Sequence, residues 1–160
     1  MALSARFAVA VHTLGVLAMS GDGPVTSERI AQSVHTNPVT IRRIFQALGR
    51  AGLVVGRMGP NGGARLARPA ESISLADVWR AVEDGDLFAY SASGGNPACP
   101  LSCGVQPVLG EIFGEAEAAL EGALAGISLA AVVRRVRACI GPAARDAVPG
   151  APVSASATHG

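Results

Sequence analysis

With 160 residues, 49% of them apolar, the chain has material for one compact domain and a small appendage, and no apolar run reaches membrane-spanning length. The net charge of +1 selects no partner by itself, but the 13 basic residues are all arginine and unevenly placed. Between Thr26 and Arg68 seven arginines face Glu28 alone, a local balance of +6, whereas Arg80 is the only base between Glu71 and Glu121. A basic first half and an acidic second half point to a polyanion-binding module joined to something else; the plainer reading is a solvated charged face. Three cysteines fit a reducing, cytoplasmic compartment better than a disulfide scaffold.

In chain order, Leu3, Phe7, Val11, Leu14 and Ala18 recur at helical spacing and predict an amphipathic helix over 4–19, favoured over a signal peptide, for which Arg6 would be the only charge before the apolar stretch from Phe7 to Met19. Thr26 or Ser27 caps a second helix through Val34, and His35-Thr36 turns the chain. Asn37 as N-cap with Pro38 at the first position opens a third helix, stopped by Ala51-Gly52. A strand at 53–55, a Gly-rich turn at 59–63 and a return strand at 64–67 form a hairpin. Ser74 and Asp77 form a capping box for a helix through Glu83. Residues 85–104 read as a Gly/Ser/Pro-rich loop carrying Cys99 and Cys103, followed by a long helix over 105–124 and a short one over 128–137. The chain thus divides into a winged helix-turn-helix over 1–84, a cysteine loop over 85–104, dimerisation helices over 105–138 and a disordered tail over 139–160.

The third helix carries the chemistry. Ile41, Ile44, Phe45 and Leu48 define a buried stripe, and the opposite stripe holds Val39, Arg43, Gln46 and Arg50, flanked by Arg42. Guanidiniums pair with guanine edges, glutamine with adenine, and valine meets a thymine methyl. Thr26, Ser27, Asn37, Thr40 and the free N–H groups at the helix starts suit phosphates. A wing with Arg57, Asn61, Gly62 and Arg65 follows at once, its glycines permitting close approach to a backbone. Helix, turn, helix and wing in this order, carrying the local balance of +6, predict a mainly α winged helix-turn-helix fold that binds double-stranded DNA.

The sequence resembles the Rrf-two-type winged-helix regulators. The resemblance is carried by Ile30-Ala31, by the run 51–54, by the wing from Arg57 to Pro69 and by the segment from Ile73 to Glu83. It implies a DNA-binding homodimer, usually a repressor, paired through the long helix. In some members it implies an iron–sulfur cluster held by three loop cysteines and a ligand from elsewhere. Here the triad is incomplete, with Cys99 and Cys103 in the loop and Cys139 far downstream. The segments 8–14, 37–43 and 96–100 are more similar to the YwnA-like branch, which lacks the triad. Ala64 stands where an aromatic is common and implies a looser hairpin.

Three readings of the loop stay open. Cys99, Cys103 and His12 could form a mixed cluster site. Cys103, before the long helix, could be a thiol switch. Both cysteines could also be small packed residues, and His12 a histidine packed at a dimer seam. No resident cofactor is expected.

On the long helix Leu109, Ile112, Phe113, Ala116, Leu120 and Leu124 form the expected dimer face, and Gly110, Gly114, Ala118 and Gly122 a line of small residues that another helix can approach. A two-fold dimer would read a near-palindromic site. A winged-helix protein-interaction module is the alternative of another class. An enzyme is not expected, since no nucleophile–base pair or phosphate loop occurs.

Overall fold

The computed structural model describes residues 3–21, 23–57, 62–83, 85, 88 and 98–140. Helices α1 (Leu3–Met19), α2 (Ser27–Val34) and α3 (Pro38–Arg50) precede a hairpin of β1 (Val54–Arg57) and β2 (Gly63–Leu66). A 3-10 turn, Ala70–Ser72, leads to α4 (Leu75–Val82), and α5 (Pro100–Ala125) and α6 (Leu129–Cys139) complete the order.

The turn between α2 and α3 is set by local chemistry. His35 ends α2 in the left-handed conformation at φ 54°, and the Thr36 N–H reaches the Ala31 carbonyl at 2.9 Å. Asn37 then caps α3, its Oδ1 accepting the Val39 N–H at 2.8 Å, with Pro38 in the first turn. Ile30 on α2 and Ile41, Ile44 and Leu48 on α3 turn inward against Leu14 of α1, all fully buried. Each such side chain contributes about 1.5–3 kcal/mol by leaving water.

The core is closed by the last helix as well as the first three. Leu129 and Val133 of α6 belong to the same buried cluster as Leu14, Val78 and Val82. Two backbone bonds pin the start of α6 to the start of α4: Leu75 N–H to Ile127 O at 2.9 Å and Leu129 N–H to Ile73 O at 2.8 Å. The capping box is present, with the Asp77 N–H donating to Ser74 Oγ and the Ser74 N–H to Asp77 Oδ2. Phe7 of α1 meets Trp79 of α4 edge to face at 5.3 Å.

The hairpin is antiparallel, from Val54 opposite Leu66 to Arg57 opposite Gly63. A third segment joins it. Val25, before α2, exchanges two 2.9 Å backbone bonds with Ala64. Ala64 is buried, so backbone pairing secures the hairpin where the sequence suggested looseness for want of an aromatic.

The long helix starts earlier than expected. It begins at Pro100, so Cys103 belongs to the helix and not to a loop ending at residue 104. The helix runs through Pro107, which lacks the N–H that a helix interior uses. Residues 86, 87 and 89–97 of the expected loop and the expected tail beyond residue 140 lie outside the described residues.

Candidate nucleic-acid interface

With one stripe of α3 in the core, the opposite stripe is turned to solvent. Val39 is 48% exposed, and Arg42, Arg43, Gln46 and Arg50 are exposed beside it. The expected base-reading set therefore shares one face. Thr40 is half-buried at its edge. The side-chain oxygens of Thr26 and Asn37 already accept backbone N–H groups as helix caps, Thr26 from Arg29 at 3.3 Å.

Ser27 and Arg42 have a task that the sequence did not reveal. Ser27 is buried, and its hydroxyl donates to Glu28 Oε1 at 3.1 Å while accepting from Arg42 Nε at 3.2 Å. Arg42 also forms an ion pair with Glu28. The backbone N–H of Glu28 does most to lower that carboxyl's pKa; burial opposes it, and Arg42 and Ser27 add to the lowering.

On the wing, Arg65 is exposed on β2, opposite Val55. Gly62 is half-buried beside the strand. Arg57 closes β1, but its side chain, like the whole of Asn61, lies outside the described residues. Gly63 supports the wing from below, since a Cβ there would meet the Val25 carbonyl oxygen at 2.7 Å.

The sequence also left Arg68 without a role. Its guanidinium binds Asp77 at 2.9 Å, Asp77 also faces Arg80 at 3.6 Å, and Arg80 pairs with Glu121 of α5. Burial would raise the Asp77 pKa, but hydrogen bonds from Ser74 and the charges of Arg68 and Arg80 outweigh it, so the carboxyl titrates below its usual range. The capping-box motif identified Asp77; nothing in the local pattern identified its distant cations.

The expected dimer face divides in two. Leu109, Phe113, Leu120 and Leu124 are half-buried, and Phe113 stacks on Phe88 at 4.5 Å. Ile112 is 51% exposed and Ala116 is exposed. Leu101, Val105 and Val108 join Ile112 in an exposed stripe at i, i+4, i+7 and i+11. A Cβ on Gly114 or Gly122 would meet nothing within 4 Å. The earlier start of α5 adds Leu101 to this stripe.

Among the sensor residues, Cys99 is the N-cap of α5 and the side chain of Cys103 lies outside the described residues. Cys139 is exposed at the end of α6. His12 Nε2 lies 2.9 Å from Ser33 Oγ, and burial lowers its pKa. It edges an apolar groove of about 650 Å³ between α1 and α6, walled by Phe7, Val11, Val133, Val136 and Ile140.

The family model for Rrf2, the iron-dependent transcriptional regulators, matches residues 3–135. The chain belongs to the Rrf2 family. It is 38% identical over 135 residues to YwnA of Bacillus subtilis, a candidate HTH-type transcriptional regulator, covering 84% of this chain and 98% of that protein. A crystal structure of a candidate DNA-binding protein is 37% identical and superposes with a TM-score of 0.64, over 79% of this chain and 97% of the other. The IscR structure from T. potens is 25% identical with a TM-score of 0.63, over 85% and 88%. As an Rrf2 protein the chain is a DNA-binding transcriptional regulator with a winged helix-turn-helix, and its relatives are regulators, not enzymes. No helix among the described residues is long and apolar enough to cross a membrane.

Holding iron requires several thiolate, imidazole or carboxylate donors gathered at one point. Among the described side chains no three cysteine, histidine or carboxylate groups gather where they could hold a metal ion. The one described loop thiol, Cys99, is not part of such a group, so the described donors do not fit a cluster.

Proposed function

We propose that this Rrf2 protein is a cytoplasmic homodimeric repressor that reads a near-palindromic operator with α3 and steadies itself on phosphates with its wing. The observation that carries the reading is the outward stripe of α3: Val39, Arg43, Gln46 and Arg50 side by side and exposed, in a segment whose only acid is tied to Arg42. Arg43 and Gln46 suit base edges, while Arg57 and Arg65 of the wing suit the sugar–phosphate backbone.

The exposed face of α5 supports the dimer. A helix of 26 residues, about 39 Å long, with an exposed apolar stripe needs a second surface to cover it. Pairing with a second copy would cover it and bring two α3 helices about one DNA turn apart. Cys99 and position 103 lie about one turn apart at the start of the same helix, so a thiol response there would act on the dimer arrangement.

The test starts from duplexes enriched by the wild-type protein out of a random pool. Arg43→Ala should lose about 1–3 kcal/mol on the enriched sequence and relax the preference at one base pair. Arg65→Ala should weaken all sequences alike and flatten the salt dependence. Equal weakening of all sequences by Arg43→Ala would remove α3 from base reading.

A further inference from the structure

Arg42 stands on the solvent-facing side of α3 but points back to α2. Glu28 is the only acid between Thr26 and Arg68, and it lies in the first turn of α2 beside the N-cap Thr26. A helix start offers N–H groups and positive potential to an anion. Glu28 already draws on that field, because its own backbone N–H is the largest cause of its lowered pKa. It is therefore ionised at neutral pH, at the place where the helix preceding a recognition helix crosses a phosphate backbone. Arg42 binds its carboxylate and, through Nε, the Ser27 hydroxyl, which itself donates to Glu28. A planar guanidinium held by two acceptors of α2 is fixed in orientation.

We propose that Arg42 is a positioning residue that serves DNA binding through Glu28, neutralising and holding the one carboxylate of the basic face, rather than by touching a base. The proposal rests on the reading of α3 and the α2 start as the DNA face. Removing Arg42 alone frees a negative charge beside the phosphate path. Removing Glu28 as well takes away the reason for the loss.

The experiment uses the full chain and fluorescence anisotropy on the duplex most enriched by the wild-type protein from a random pool. R42A should bind about 10-fold more weakly, E28Q at least as tightly as wild type, and E28Q/R42A within about 3-fold of wild type. R43A should lose about 10-fold and gain no rescue from E28Q, because its loss has another origin. A double variant as weak as R42A would mean that Arg42 meets DNA itself and would overturn the proposal, as would an R42A protein that binds like wild type. If R43A alone bound like wild type, the base-reading face would be wrong, while rescue of R42A by E28Q would still stand.

Discussion

Gly63→Ala places one methyl group where the wing meets the segment before α2. The new Cβ would lie 2.7 Å from the Val25 carbonyl oxygen, 2.8 Å from its carbon and 3.1 Å from its nitrogen. All three are backbone atoms, so no side chain can rotate away. Relief requires Val25 and Ala64 to separate, which strains or breaks their two 2.9 Å hydrogen bonds. Each such bond is worth about 1 kcal/mol net, and overpacking adds about 1–3 kcal/mol. A loss of about 3 kcal/mol should lower the melting temperature by about 6–12 °C in a chain of this size. Gly56→Ala on the opposing strand is the control, because a Cβ there meets nothing within 4 Å. Thermal unfolding followed by circular dichroism compares the two. A Gly63→Ala protein that melts with wild type would refute the claim that the Val25 contact secures the wing.

Other perturbations reach other parts of the molecule. Val108→Asp puts a charge in the exposed stripe of α5 and should turn a dimer into a monomer in sedimentation experiments; an unchanged mass would show that the stripe is not the seam. Asp77→Asn should lower stability at neutral pH. Because the folded pKa lies below the unfolded value of about 3.9, the ionic contribution is present above that value and fades as pH falls through the folded pKa. The gap between wild type and variant in urea melts should therefore narrow below about pH 4, and a constant gap from neutral to acid would contradict the role given to the charge. Cys103→Ser should abolish any release of DNA by mild oxidant, whereas retained release would exclude that thiol.

Much of the fold was legible because its signals are local. Asn37-Pro38, the turn at His35 and the Ser74/Asp77 capping box each specify a backbone conformation within a few residues, and the period of Ile41, Ile44 and Leu48 specifies which side is inside. The outward face of α3 follows from that period alone. What escaped the sequence is long-range. Arg42 reaches Glu28 across 14 positions, Arg68 reaches Asp77 across nine, and Val25 pairs with Ala64 between segments with no strand pattern in common. The start of α5 also escaped: the Gly/Ser/Pro-rich composition of 85–104 extends the loop to residue 104, yet the helix begins at Pro100.

The sharing of one core by α1 and α6 has a consequence for how the protein is made. Leu14 emerges early in synthesis, but Leu129 and Val133, which close the same cluster, are added more than a hundred residues later. Until then the winged half leaves apolar surface of α1 open to water and to other chains. A nascent chain halted after the wing should be a client for chaperones and not an autonomous DNA binder, with cooperative folding waiting for the last helix.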